Sequence, residues 1–191
     1  MANIEHHAPG SFCWIELATS DPEAAKSFYG ELFGWKPNDI PMGPDAVYTM
    51  FELDGREAAA GYKLRPDQTQ HGVPPHWMIY IAVANADESA ARVPELGGTL
   101  LAPAFDVAEH GRMAIAQDPT GATFAIWQAK AHTGIQIGGV DGTLCWADLN
   151  SPERDNAVRF YSGLFGWEFD PGTGKDASEY LHIKNGDRHI G

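Results

Sequence analysis

Two acidic residues, Glu16 and Asp148, each lie two positions after a tryptophan, Trp14 or Trp146. Residues two positions apart on a strand point to the same face, so each carboxyl group is expected beside an indole ring. If that face lines a partly desolvated cavity, burial raises the pKa of the carboxyl group and the group can act as a general base. The alternative is a hydrogen-bonded structural acid, or an acid at the rim in water. Glu16 is therefore a candidate catalytic base.

A second set of candidate side chains lies on the segment that begins at His76. His76 and Tyr80 flank Met78 at the spacing of one strand face, and an imidazole titrates near neutral pH. His76 is thus a second candidate base, and its alternative role is to cap the preceding Pro-Pro loop. Glu16, Glu57 and His76 can also form a metal site if their strands adjoin, although no close-spaced pair of ligands supports this.

The sequence segment that positions these residues occurs twice in the chain. Residues 13–35 and 145–167 align without a gap, 132 positions apart, and share Cys, Trp, Leu, Ala, Phe-Tyr and Leu-Phe-Gly-Trp. A fixed internal period of this kind indicates a duplicated structural unit. Each copy predicts a strand, then a capped helix, and a left-handed stop at Gly34 or Gly166. The first helix carries a predicted apolar stripe that consists of Ala25, Phe28, Tyr29, Leu32 and Phe33.

A weaker strand–helix pattern returns after a polar loop at residues 66–75. The first 130 residues therefore predict two strand–helix–strand–strand–strand units, and a third unit opens near residue 142 and reaches Gly191 without a partner unit. An unpaired unit exposes a sheet edge, so we expect that the natural protein continues or that the third unit pairs with another chain. The predicted divisions are an arm at 1–10, a first domain at 11–130 with units at about 11–65 and 76–128, a linker at 131–141, and the first part of a second domain at 142–191.

The composition excludes several classes of partner. The chain has 191 residues and a net charge of −13, with 13 basic and 26 acidic residues. Nucleic acid and anionic membranes bind basic surfaces, so neither is an expected partner. The sequence shows no secretory signal and no apolar run near the roughly 20 residues that span a bilayer, and we expect a cytoplasmic protein. The two cysteines occupy the same place in the two copies, where each is expected to be a small buried hydrophobe.

Several of these motifs together resemble a known superfamily. They are Trp14 to Asp21, Phe28-Tyr29, Leu32-Phe33-Gly34-Trp35, Gly97-Gly98, Gly111-Arg112 and Asp118-Pro119-Thr120-Gly121. Their order and spacing are similar to those of the vicinal-oxygen-chelate superfamily, which includes glyoxalase I, bleomycin-resistance proteins and extradiol dioxygenases, and most of all to its branch with tandem copies. The resemblance implies an α+β fold in which paired βαβββ units form a cupped mixed sheet, or partly closed barrel, around a ligand cavity.

The resemblance also implies where a metal would be held. Metal-using members carry His, Gln or Glu at one position on each of four strands, and those positions fall at about Trp14, Met78 and Ala125, with the fourth near 58–61. Indole, thioether and methyl groups are not ligands for Ni, Zn, Mn or Fe. We therefore expect no metal cofactor, and the alternative is a divalent metal at a different site.

The sequence thus predicts a protein that binds a small organic molecule in an aromatic-lined cavity. Alternatives are a metal-dependent lyase, isomerase or dioxygenase of the same fold, and a metal-free enzyme that uses Glu16 or His76 as base. A homo-oligomer formed through the incomplete third unit is a further expectation. The predicted ligand contacts are Trp14, Glu16, Met78, Tyr80, Met113 and Trp127.

Overall fold

The computed structural model describes residues 2–44, 46–171 and 180–191. In chain order its elements are strands β1 (Ala2–Asn3) and β2 (Phe12–Thr19), helix α1 (Pro22–Phe33), strands β3 (Lys36–Gly43), β4 (Ala46–Leu53) and β5 (Arg56–Lys63), helix α2 (Pro66–Gln70), strand β6 (His76–Ala82), helix α3 (Ala86–Glu95), strands β7 (Thr99–Val107), β8 (Gly111–Gln117), β9 (Thr123–Ala129) and β10 (Ile137–Gly138), helix α4 (Arg154–Phe165), and strands β11 (Glu168–Pro171), β12 (Leu181–Asn185) and β13 (Arg188–His189). The orders β2-α1-β3-β4-β5 and β6-α3-β7-β8-β9 confirm the predicted α+β class and the βαβββ units. The boundaries predicted between domains stay a prediction.

The chain forms two compact units. Unit 1 comprises Met1–His6, Trp14–Ile79 and Gly134–Leu144, and unit 2 comprises His7–Cys13, Tyr80–Thr133 and Cys145–Gly191. In unit 1, β3 pairs with β4 and β4 with β5 in antiparallel fashion, whereas β5 and β2 are parallel. In unit 2, β6 and β9 are parallel, and β8 pairs antiparallel with both β9 and β7. Each unit therefore contains a mixed sheet, and β11, β12 and β13 add a small antiparallel sheet to unit 2.

Helix α1 has the termini that the sequence predicts. The Asp21 carboxylate accepts a hydrogen bond from the backbone N–H of Ala24 at 3.0 Å. Gly34 ends the helix in the left-handed region, at φ 72°, and donates its N–H to the carbonyl of Gly30. Gly166 ends α4 in the same way, at φ 73°. Local sequence thus sets both helix ends, because a capping acid and a residue without a Cβ atom each satisfy a local requirement.

The predicted apolar stripe of α1 is wrong for three of its residues. Tyr29 packs against the core cluster of unit 1, but Phe28, Leu32 and Phe33 are 59%, 57% and 38% exposed. The repeat-related residues of α4, Phe160 and Leu164, are buried. Phe160 is covered in unit 2 because the turn after α3 comes close to its ring. No residue of α1 is buried, and this helix contacts the core cluster of unit 1 through the half-buried Tyr29.

Gly98 permits that close approach in unit 2. A Cβ atom at this position would lie 2.6 Å from Cε2 of Phe160 and 2.8 Å from the carbonyl oxygen of Gln117. Both distances are shorter than van der Waals contact, so only glycine fits between this strand and this ring. The Gly97-Gly98 motif therefore has a packing function.

The prediction that the third repeat opens with a strand is wrong. No strand is assigned within 145–150 of the chain, and Cys145 is exposed, so the prediction that both cysteines are buried is wrong for Cys145 and right for Cys13. In the first repeat, residues 16–19 of β2 pair with residues 60–63 of β5. No strand pairing of this kind is present at residues 145–150.

A short helix also appears where the sequence predicts a polar loop. The short helix α2 begins at Pro66, and the backbone N–H of Arg65 donates to Oε1 of Gln68 at 2.9 Å. Proline suits the first helical position, so the local sequence explains the turn. No helix in the described part of the chain is long and apolar enough to cross a membrane.

The two cysteines should differ sharply in reactivity. Cys13 is fully buried, and burial raises the pKa of its thiol to about 12, whereas Cys145 is exposed. Because the thiolate is the reactive form, a thiol reagent at pH 8 should modify one cysteine per folded chain and both in denaturant. Stoichiometric labelling checks this, and Cys145→Ser should leave the folded protein almost unmodified. Fast labelling of Cys13 in the folded Cys145→Ser variant would contradict the burial.

Candidate ligand site

One face of the unit 1 sheet collects the polar and aromatic side chains of the candidate site. The strand registers place Glu16 beside Ala60, and Tyr48 beside Tyr62. Side chains alternate along a strand, so Trp14 shares the face of Glu16. The opposite face carries Ile15 and Phe51 into the core cluster that Tyr29 of α1 covers. Strand β2 therefore has one face that packs into the core under α1 and a second face that carries Trp14 and Glu16.

Three side chains on this second face form a hydrogen-bonded chain that we call the Trp14 network: Trp14, Tyr48 and Glu16. The indole Nε1–H of Trp14 donates to the hydroxyl oxygen of Tyr48 at 3.2 Å, and the Tyr48 hydroxyl donates to Oε2 of Glu16 at 2.6 Å. Trp14 is 3% exposed, whereas Tyr48 and Glu16 are half-buried. The network therefore holds a carboxylate in one orientation beside an indole and a phenol ring.

Tyr48 remains a hydrogen-bond donor over a wide pH range. Burial raises the pKa of Tyr48 well above its ordinary value of 10, and the negative charge of Glu16 raises it further. A phenol with a raised pKa keeps its proton at neutral pH, so Tyr48 does not act as a base. Its proton instead stabilises the charged form of Glu16.

The raised pKa of Tyr48 predicts a loss of stability in alkali. Above pH 10 the unfolded chain releases this proton while the folded protein keeps it, so the free energy of unfolding falls by roughly 1.4 kcal/mol per pH unit for this group. The contribution is complete below pH 10 and is lost as the pH approaches the folded pKa. Urea unfolding between pH 9 and 11.5 measures the slope, and Tyr48→Phe should reduce it by about one proton. Equal slopes for the two proteins would contradict the assignment.

Tyr62 and Gln68 extend the face beyond the Trp14 network. Gln68 of α2 donates from Nε2 to the hydroxyl of Tyr62 at 3.1 Å, and both side chains are half-buried. Burial is the main cause that raises the pKa of Tyr62, and the charge of Glu16 contributes to the same shift. Two phenols and one carboxylate thus influence one another on this face of unit 1.

His76 and Met78 lie on β6, near the end of the unit 1 range Trp14–Ile79, and both are half-buried. The Nδ1 of His76 lies 2.9 Å from the carbonyl oxygen of Pro74. A carbonyl only accepts, so Nδ1 carries the proton and Nε2 is left as an acceptor in the neutral ring. This contact matches the alternative in which His76 caps the Pro-Pro loop, and its role as a base stays a prediction.

The remaining predicted ligand contacts, Tyr80, Met113 and Trp127, lie together in unit 2. The rings of Tyr80 and Trp127 meet edge to face at 6.3 Å, and Met113 pairs with Trp127 across β8 and β9. Trp127 donates its Nε1–H to the carbonyl of His132 at 3.1 Å. The predicted site residues therefore fall into two sets, one in each unit.

Tyr48 is not among the site residues predicted from sequence, although the repeat contains a signal for it. Tyr180 lies 132 positions after Tyr48, the same interval that relates Trp14 to Trp146. In unit 2 the hydroxyl of Tyr180 donates to Oδ1 of Asp148 at 2.7 Å, and the Nε1–H of Trp146 donates to the Tyr180 hydroxyl at 2.9 Å. Extending the gapless alignment beyond residue 35 finds this tyrosine.

The side chains at the expected metal positions do not fit a divalent metal. Trp14, Met78 and Ala125 offer indole, thioether and methyl groups, and none of these binds Ni, Zn, Mn or Fe well. Among residues 2–44, 46–171 and 180–191, no three His, Cys, Asp or Glu side chains are arranged to hold a metal. Glu57, part of the alternative metal site, instead accepts a hydrogen bond from Gln136 at 3.1 Å.

Known proteins are similar to this chain in sequence and in fold. The family model of the Glyoxalase/Bleomycin resistance protein/Dioxygenase superfamily matches residues 11–126. A Mycobacterium bovis protein described as "Putative glyoxylase CFP32" is 37% identical over 192 residues, which span 100% of this chain and 73% of that protein. The "Anthracycline biosynthesis protein DauV" of a Streptomyces species is 34% identical over 169 residues, 83% of this chain and 62% of that protein.

Two solved structures show the same fold at low identity. The Mn(II)-bound glyoxalase from Novosphingobium aromaticivorans aligns with a TM-score of 0.66 and 16% identity, over 92% of this chain and 58% of that one. A mutant of 4-hydroxymandelate synthase from Streptomyces coelicolor aligns with a TM-score of 0.62 and 15% identity, over 94% of this chain and 60% of that one. The chain thus spans about three-fifths of each solved structure. On the match of its family model and on these relatives, the chain belongs to the glyoxalase/bleomycin resistance protein/dioxygenase superfamily.

Proposed function

We propose that this chain binds a small planar organic molecule with hydroxyl groups on the face of unit 1 that carries the Trp14 network. The supporting observation is the 2.6 Å hydrogen bond from Tyr48 to Glu16, which fixes a half-buried carboxylate beside two aromatic rings. A fixed carboxylate accepts strong hydrogen bonds from ligand hydroxyls, and the half-buried rings of Tyr48 and Tyr62 supply aromatic contact area. Such a combination of apolar walls and few polar anchors is usual for small-molecule sites.

The description of one relative supports this class of ligand. DauV is described as a protein of anthracycline biosynthesis. Anthracyclines are planar polycyclic aromatic compounds with phenolic hydroxyl groups, which are the chemical features that an indole, a phenol and a carboxylate recognise. The proposed ligand class is therefore a hydroxylated planar aromatic compound.

The proposed recognition uses no metal ion. The side chains at the superfamily's metal positions are not ligands for the usual divalent ions, so contacts to the ligand come from rings and hydrogen bonds. A cytoplasmic location, and the expectation that neither nucleic acid nor a membrane is a partner, stay predictions from composition.

A metal-free reaction with Glu16 as base is the second candidate, because a half-buried carboxyl group faces the proposed ligand. Oε2 of Glu16 already accepts a hydrogen bond from the Tyr48 hydroxyl, so this oxygen is occupied in the free protein. This contact favours binding over proton abstraction. If Glu16→Gln abolishes turnover of a substrate that it still binds with full affinity, catalysis is the better description.

Titration with 1,5-dihydroxynaphthalene tests the proposal, with 1,5-dimethoxynaphthalene as the matched ligand that cannot donate hydrogen bonds. A hydrogen bond to a charged group contributes about 1.5–3 kcal/mol, so the dihydroxy compound should bind at least roughly tenfold more tightly. Calorimetry before and after treatment with EDTA should give the same dissociation constant. Equal affinity for the two compounds, or binding that chelation abolishes and Ni, Zn, Mn or Fe restores, would contradict the proposal.

A further inference from the structure

The third repeat rebuilds the Trp14 network with the same residue types. We call the copy the Trp146 network: Trp146, Asp148 and Tyr180. Each member lies 132 positions after its counterpart, and Asp148 replaces Glu16. Indole, phenol and carboxylate are again joined by hydrogen bonds, at 2.9 Å from Trp146 to Tyr180 and at 2.7 Å from Tyr180 to Asp148. The arrangement is kept although the segment that holds Trp146 is not a strand.

The carboxylate of Asp148 lies within hydrogen-bond distance of both ring donors of the Trp146 network. Aspartate has one methylene fewer than glutamate, so its carboxylate lies nearer the backbone. The Nε1–H of Trp146 consequently lies 3.2 Å from Oδ1 of Asp148 as well as near the Tyr180 hydroxyl. The carboxylate of the Trp146 network is therefore held by two donors, an indole and a phenol.

An imidazole adds a group that the first network lacks. His182 occupies the position of Met50 in the repeat, and its ring meets those of Trp146 and Tyr180 edge to face at 5.8 and 5.2 Å. The ring of His189 lies 5.3 Å from that of His182. Trp146 is 37% exposed and Tyr180 is 41% exposed, so solvent reaches both rings.

We propose that the Trp146 network, together with His182, is a second binding site for a hydroxylated planar aromatic compound. The inferred ligand class rests on the function proposed for the Trp14 network. The exposed indole and phenol faces supply stacking surface, Asp148 accepts from a ligand hydroxyl, and His182 provides a further polar contact. One chain then binds two ligand molecules, one in each unit.

Fluorine NMR of the protein labelled with 5-fluorotryptophan tests this site separately from the first. The chain has six tryptophans, and Trp14→Phe and Trp146→Phe identify the two resonances that matter. Titration with 1,5-dihydroxynaphthalene should shift both, with a stoichiometry of two. Asp148→Asn should raise the ligand concentration needed to shift the Trp146 resonance about tenfold or more and leave the Trp14 shift unchanged. Asp187→Asn, which changes another exposed acid of unit 2, should alter neither.

The outcomes distinguish the two proposals. A shift of the Trp14 resonance alone, at a stoichiometry of one, overturns the second site and leaves the proposed function of unit 1 intact. A shift of the Trp146 resonance alone that Asp148→Asn weakens supports the second site and contradicts the first. No shift of either resonance overturns both. A Trp146 shift that Asp148→Asn does not weaken overturns the assignment of Asp148 and with it the proposed site.

Discussion

The Trp35→Ala variant is expected to lose about 3–5 kcal/mol of its free energy of unfolding. Trp35 is 5% exposed, and its ring lies 5.4 Å from that of Phe51 and 5.8 Å from that of Tyr29. Its Nε1–H also donates to the carbonyl of Gly142 at 2.8 Å, which ties the segment after β10 to the core of unit 1. Truncation therefore opens a large cavity and leaves a carbonyl without its donor.

Two further variants separate these causes. Trp35→Phe keeps an aromatic ring but removes the donor to Gly142, so it should lose part of the stability, about 1–3 kcal/mol. Trp146→Ala removes a tryptophan that is 37% exposed and should lose far less than Trp35→Ala. Urea unfolding monitored by circular dichroism measures all three. A loss for Trp35→Ala no larger than that for Trp146→Ala would show that Trp35 is not a core residue of unit 1.

The Gly111→Ala variant is expected to be destabilised by about 3 kcal/mol, at the upper end of the range for overpacked cores. A Cβ atom at Gly111 would lie 2.3 Å from Cζ2 and 2.5 Å from Cη2 of Trp127. The Trp127 ring is 5% exposed and its Nε1–H is bonded to the carbonyl of His132, so it has little freedom to move. Glycine is thus required at position 111 because the Trp127 ring packs directly against its backbone.

A double-mutant cycle tests this cause of the destabilisation. Phenylalanine at position 127 removes the outer atoms of the indole, which are the ones that the new methyl group would meet. Gly111→Ala should therefore cost much less in the Trp127→Phe background than in the wild type, and the two changes should not be additive. Additive losses of unfolding free energy would place the cause of the destabilisation elsewhere, for example in the backbone of β8.

Local features of the fold were predictable from sequence. Asp21 caps α1, and Gly34 and Gly166 end α1 and α4, because each of these roles depends on a few neighbouring residues. Strand β3 was not predictable from local pattern. It contains Pro37 and Pro41, and because all its residues are exposed, no alternation of polar and apolar residues marks it as a strand. Proline is tolerated there because β3 pairs with β4 at the edge of the unit 1 sheet.

Features that depend on distant neighbours were not predictable from local pattern. Phe28 and Phe160 occupy the same place in the two copies, yet only Phe160 is buried, because the turn after α3 covers it. Tyr48 meets Trp14 and Glu16 only through the pairing of β2 with β5 and of β5 with β4. The 132-residue repeat interval is the only sequence signal for Tyr48, and Tyr48 lies outside residues 13–35, where the similarity between the two copies is clearest.

The dissociation constant of 1,5-dihydroxynaphthalene for the Glu16→Gln variant, measured in EDTA-treated buffer, tests the central claim most directly. Glutamine keeps the size of the side chain but removes the charge that makes Glu16 a strong acceptor. We expect binding to weaken roughly tenfold or more relative to wild type, while Glu31→Gln, an exposed acid on α1, leaves the affinity unchanged. Equal affinities of wild type and Glu16→Gln, or binding only after a divalent metal is added, would show that the Trp14 network is not what recognises the ligand.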